Sequence, residues 1–297
     1  MRIVYNSSFT NGALAIQQAA EALTEAQRQL STGRRIGTPS DDPVGTNAAI
    51  IGHSALDRLD AYSGAADAAA YRLGLADSAL SDIISQLTSA QTTALSARGS
   101  AQTQVQRDAA SQELLAIRDA LMSDINTQFQ GVHIFSGAQV TTPPFVLSGS
   151  TVSAYQGDTT QTQVEIGNGR RAAITFDGGR VFQGSDPTDI LAALTSLAAA
   201  LSASDQTAIE TGVVAISRAF DRATSAQVDI GIDLRAIDDA RLRTASERTG
   251  VISRLASVED ADLATAATKL SQADTAYRAA LASVATIGRV SLMDYLK

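Results

Sequence analysis

Residues able to do chemistry are few in this chain, and they are scattered. Asp41-Asp42 is an adjacent carboxylate pair, the sort that acid–base catalysis or a metal could use if both groups converged on one point. The pair stands directly before Pro43, where an Asp caps a helix start and Pro occupies the first helical position, so the spacing predicts capping. The only histidines are His53 and His133, and there is no Cys, which removes thiol nucleophiles, thiolate zinc sites and disulfides. His133 lies in the strand-like GVHIF and reads as a half-buried strand residue. Arg34-Arg35 could touch a phosphate backbone, but the net charge of −8 and the lack of an aromatic-basic stripe argue against nucleic acid. Gly167-Asn168-Gly169 lacks the third glycine and following helix of a dinucleotide fingerprint. Asp177-Gly178-Gly179 reads as a hairpin turn without the further oxygen ligands of a calcium loop. The expectation is a protein that is not an enzyme, with no catalytic, cofactor-binding or metal residues to assign.

The elements that carry these residues are marked out by Pro, Gly and Ala. Residues 44–142 and 188–297 contain no Pro, and 54 of the 297 residues are Ala. Because Pro costs about 3 kcal/mol inside a helix, such runs permit long helices. Residues 131–184 differ, holding 9 of the 21 Gly and five aromatics but only four Ala. GVHIFSG, TVSAYQG, TQVEIG, RAAITFDG and RVFQG read there as short strands bounded by turn residues. The predicted class is mainly α: a long helical rod with a terminal coiled coil, plus a small β-rich insert. The N-terminus lacks the apolar run of a Sec signal peptide, and no window approaches the about 20 apolar residues of a membrane-spanning helix.

Both chain ends carry seven-residue periodicity. Phe9, Ile16, Leu23 and Leu30 form one stripe, with Ala19 and Ala26 three places after Ile16 and Leu23. Leu263, Leu270, Tyr277 and Val284 form the other, with Ala266, Ala273, Ala280 and Ile287 beside them and Leu292 beyond. These are a/d seams of a coiled coil, and each end has the other to pair with. Ile230, Ile237, Val251 and Val258 share a second frame, whose phase slips before Leu263 and predicts a joint between two rods. In the middle, Leu73, Leu80, Leu87 and Ile84 form one helical stripe, and Leu114, Leu121, Ile117 and Ile125 another, with a turn at Gly99. Alanine at d positions lets helices approach but buries little area, so neither end is expected to be stable alone.

Between the first seam and the central helices lies STGRRIGTPSDDPVG, residues 31–45. Gly33 reads as a helix stop requiring positive φ, and Arg34 and Arg35 as cations set near the preceding helix's last carbonyls. In LSTGRRIGTPSDDPVGTNAA, the residues Ser31, Gly33, Arg34, Ile36, Ser40, Asp41, Asp42 and Pro43 resemble the signature turn of the flagellin family. The final DLATAATKLSQADTAYRAALASVATIGRVSLMDYLK resembles that family's terminal helix. Pro43, SLMDYL and the HIFSG, PPF and YQGD stretches resemble its hook-associated, junction-forming branch.

The resemblance implies nested domains: 1–45 with 256–297 as a paired terminal coiled coil, 46–130 with 188–255 as a helical rod, and 131–187 as an outer β-rich domain. It further implies a structural subunit between flagellar hook and filament, exported without a cleaved signal and located outside the cell. The implied partners are copies of itself in a ring or helix, another hook-associated protein on the hook side, flagellin on the filament side, and an export chaperone. Two other readings remain open at this point: flagellin itself, or an intracellular coiled-coil scaffold.

Overall fold

The computed structural model describes the backbone of residues 2–99, 102–149 and 151–295, and the side chains of residues 10–286 within those ranges. Six helices dominate: α1 (Arg2–Thr32), α2 (Pro43–Ala97), α3 (Gln104–Ile125), α4 (Ile190–Ala203), α5 (Gln206–Glu259) and α6 (Leu263–Tyr295). Between α3 and α4 lie three two-stranded antiparallel hairpins: β1–β2 (Gln128–Phe129, Val132–His133), β3–β4 (Leu147–Ser148, Thr151–Val152) and β5–β6 (Gln163–Gly167, Arg170–Ala173). The class is mainly α with small β elements. Two compact units result, Met1–Arg58 with Glu247–Lys297, and Leu59–Ser246. Residues 131–187 fall in the larger unit, with the helices around them.

The larger unit has one continuous core. Leu73, Leu80 and Leu87 of α2 are fully buried at their seven-residue spacing, together with Leu114, Leu121 and Ile125 of α3. The hairpin region adds Phe135, Phe145 and Phe182, and the Phe135 ring meets Phe182 edge-on at 5.4 Å between centroids. Aromatic side chains bury the most area per residue, which explains why the insert joins this core. His133, in β2, is buried: Nδ1 lies 3.0 Å from the Asn126 carbonyl and Nε2 lies 2.9 Å from Gln128 Nε2. One buried cation stands out. Among the described residues Arg72 reaches only the His133 carbonyl, at 3.5 Å, and its Nε has no partner; burial lowers its pKa.

Two local expectations change. RVFQG forms no strand, because Gly179–Gln183 is a short π-helical turn started by the Asp177 carboxylate, which accepts from the Arg180 N–H at 3.1 Å. The cause is Tyr155. Its hydroxyl donates to the Phe135 carbonyl at 3.0 Å and accepts the Gly178 N–H at 3.1 Å, so the chain after Asp177 curls against the ring. Burial of that phenol pushes its pKa up to about 12. The helical stretch after residue 188 also breaks where no Pro or Gly stands. Ser204 takes a left-handed conformation, φ 56°, and α5 restarts at Gln206.

Candidate functional site: the paired terminal helices and their turn

In the smaller unit α1 packs against α6, and the two run antiparallel. Two contacts fix the direction: a β-carbon built on Gly12 would lie 2.7 Å from Val284 Cγ2, and the Ala261 N–H donates to the Gly33 carbonyl at 2.8 Å. A side chain at position 12 would force Val284 to shift, so glycine here serves close approach and not backbone conformation. The residues at the bottom of the contact are small: Ala26, Ala266 and Ala273 are 4%, 2% and 9% exposed. Ile16, Leu23, Leu270, Tyr277 and Val284 are half-buried along the flanks. Leu30 and Leu263, at the end nearest the turn, are 39% and 54% exposed. Phe9 lies in α1 and Leu292 in α6, but their side chains fall outside the described residues, as does that of Ile287. The helices thus meet on alanines, and the larger a-type residues stand half open on either side.

The turn after α1 is built as the sequence suggests, with one reassignment. Gly33, at φ 69°, stops α1, and its N–H donates to the Gln29 carbonyl at 2.9 Å. Asp42 caps α2, accepting the Gly45 N–H at 2.9 Å, and Pro43 is the first helical residue. Asp41 does separate work. It accepts the N–H groups of Thr38 (2.8 Å) and Gly37 (2.9 Å), the Thr38 hydroxyl (2.8 Å) and Arg28 Nη2 (3.0 Å). Those donors, the Thr38 N–H foremost, hold its carboxyl at about 2. Asp42 is lowered as well, first by the Gly45 N–H and then by Arg35. Ser40 joins the Thr38 hydroxyl at 2.8 Å, Ser31 donates to the Arg28 carbonyl at 3.0 Å, and Ile36 is buried.

Arg34 and Arg35 were expected to serve the end of α1, and they serve the end of α5 instead. The Arg35 guanidinium donates to the Val258 carbonyl at 2.8 Å, and its backbone N–H donates to the Glu259 carbonyl at 2.6 Å. Arg34 forms an antiparallel bridge with Asp260 and approaches the Glu259 carboxylate at 3.8 Å. The last carbonyls of a helix are unpaired acceptors at the negative end of its dipole, and α5 presents them here to cations from the far end of the sequence. Sequence reading missed two participants. His53 Nε2 sits 2.7 Å from Glu259 Oε1, so Glu259 gathers His53 as well as Arg34 from the N-terminal part of the chain. Glu259 lies at the phase slip before Leu263, and the period there marks a joint without naming its contacts. Asp262 caps α6 through the Ala264 N–H at 3.0 Å and the Thr265 hydroxyl at 2.8 Å.

The arrangement offers packing and capping. Among the described residues, no group of three or more His, Cys, Asp or Glu is placed to hold a metal ion, and no helix is long and apolar enough to cross a membrane. The two Asp of the turn are engaged in its own hydrogen bonds, Asp42 as the cap of α2 and Asp41 within the loop and to Arg28.

Residues 3–140, which include this turn, match the family described as the bacterial flagellin N-terminal helical region. A curated relative, the flagellar hook-associated protein 3 of Salmonella typhimurium, is 26% identical over 183 residues, covering 61% of this chain and 57% of the relative. The chain is similar to flagellar hook-associated protein 3 over this stretch. The Escherichia coli protein of that name is also 26% identical, over 56% of this chain and 54% of its own length. The chain therefore aligns with little more than half the length of these hook-associated relatives. The solved structure of flagellar hook-associated protein-3 from Legionella pneumophila shares the fold, with a TM-score of 0.64 at 14% identity. That likeness covers 70% of this chain and 98% of the Legionella one.

Proposed function

We propose that the chain is a non-enzymatic structural subunit of the bacterial flagellum that joins the hook to the filament. The observation that carries this reading is a terminal helix pair that meets on alanines and leaves its larger apolar residues half open, in a chain similar to hook-associated protein 3. A self-sufficient bundle would bury Leu and Ile at its centre; here neighbouring subunits complete the burial. Ile16, Leu23, Leu270, Tyr277 and Val284, with Phe9 and Leu292 beyond the described side chains, are the seam, and the turn from Ser31 to Pro43 holds its base. The partners are further copies of the chain, a hook-associated protein on one side and flagellin on the other. A chaperone escorts the chain to export without a cleaved signal, and its place is outside the cell.

Purified chain mixed with filament fragments as seeds tests the reading against flagellin. Capped seeds that do not elongate are expected; long self-propagating filaments of this chain would overturn it. Strict retention of the chain inside flagellated cells would overturn it in favour of an intracellular scaffold.

A further inference from the structure

The middle of α5 carries two stripes at seven-residue spacing, and only one is used. Ile209, Ile216, Ile230 and Ile237 are buried in the core of the larger unit. Val214, Asp221, Val228, Arg235 and Leu242 repeat at the same spacing on the exposed side, with Ile232 beside them, and Asp221 and Ile232 line a groove with Gln161, Phe176 and Arg180. Val214, Val228, Ile232 and Leu242 are 52%, 58%, 57% and 71% exposed. Asp221 and Arg235 are exposed too and make no ion pair among the described residues.

The order of this stripe is symmetric about Val228 in size and opposite in charge. Asp221 and Arg235 stand seven residues to either side, and Val214 and Leu242 fourteen. A second copy laid across α5 by a two-fold axis through Val228 sets Asp221 of each copy against Arg235 of the other. It also sets Val214 against Leu242 and Val228 against itself. Parallel, in-register pairing would put Asp on Asp and Arg on Arg. Like charges face to face are strongly disfavoured, so the pattern selects the antiparallel partner. We propose that this face of α5 docks a second copy of the chain, giving an isologous antiparallel dimer.

Such a pair points its two copies in opposite directions. A subunit set between two different structures has one end for each, so copies in place share one direction. The dimer is thus a state of the unassembled chain that must part before assembly, and this last step rests on the junction reading.

The chain contains no Cys, so single cysteines report the pairing directly. Val228→Cys is expected to form a disulfide-linked dimer under mild oxidation, because the two copies of residue 228 meet on the axis. Leu242→Cys alone is expected to stay monomeric, since its two copies lie about 42 Å apart along the helix, far beyond disulfide reach. A mixture of Val214→Cys and Leu242→Cys chains is expected to cross-link. In sedimentation, Asp221→Arg is expected to weaken dimerisation about a hundredfold, and adding Arg235→Asp to restore it. No cross-link at 228, or equal cross-linking at 228 and 242, would overturn the proposal. The oxidised Val228→Cys dimer is expected to be excluded from flagella and the reduced chain admitted. Equal admission would remove the parting step; exclusion of both would count against the junction reading while leaving the dimer intact.

Discussion

The two units of this protein are both helical, yet they are held together in opposite ways. The larger packs Phe135, Phe145 and Phe182 with stripes of Leu and Ile, all at most 2% exposed, against helices that supply the rest of one core. In the smaller, α1 and α6 touch over alanines and a glycine, and their Leu, Ile, Val and Tyr side chains are only half covered. A fully buried Leu-sized side chain contributes about 2 kcal/mol, a half-covered one correspondingly less. The first unit covers its large apolar residues itself, and the second leaves them half covered. Helix content therefore says little about independent stability; what lies between the helices decides it.

The contrast can be broken most directly by truncating each core in turn. Phe135→Ala is expected to cost about 3–5 kcal/mol in urea unfolding of the whole chain, whereas Leu23→Ala shifts the same transition by less than about 1 kcal/mol. Equal losses would show that the helix pair is as well cored as the larger unit. Next in size is the effect on assembly. Leu270→Asp places a charge in the seam and is expected to abolish incorporation into flagella while leaving the main unfolding midpoint in place. Gly12→Leu is expected to act likewise, since its side chain would strike Val284. A third measurement sharpens the comparison: native-state hydrogen exchange is expected to open α1 and α6 long before α2 and α3. Uniform protection would contradict it.

Smaller effects probe charges within each unit. Arg72→Met removes a buried cation that has one long hydrogen bond and an unpartnered Nε, so the midpoint is expected to hold or rise by about 1 kcal/mol. A marked loss would show that the guanidinium supports the His133 carbonyl more than its geometry suggests. In the turn, Asp41 is depressed from 3.8 to about 2, so the unfolded chain binds the extra proton first. Its stabilisation is complete above the ordinary carboxylate range and fades as pH falls through about 2. Amide shifts of Gly37 and Thr38 are expected to titrate there, and a midpoint near 3.8 would mean those hydrogen bonds are not held in solution.

What the sequence made legible was what depends on neighbours along the chain. The stop at Gly33, the cap at Asp42, the Leu73–Leu80–Leu87 stripe and the break before Leu263 all follow from local rules of capping and period. The rest depends on contacts between distant residues. Arg34 and Arg35 look like cations for the helix just before them, and only the fold brings the end of α5 within their reach. RVFQG has the composition of a strand, but the Tyr155 ring and hydroxyl shape the chain that leads into it. Periodicity placed Leu30 and Leu263 in the seam without showing that they stand open beside the turn. Nor did any Pro or Gly announce the break at Ser204.

The tie between Gly33–Arg35 and Glu259–Ala261 has a consequence for how the chain ends find one another. Without it and the neighbouring His53–Glu259 contact, α1 and α6 would be joined through the more than 200 residues between them, and the cost of closing so long a loop would fall on the helix pair. Once the folded larger unit and the tie are in place, the two helices start from a common base, like the arms of a hairpin. Each helix then meets the other at a high effective concentration, set by that base and not by how much protein is present. A chain so arranged closes on its own tail in preference to a neighbour's.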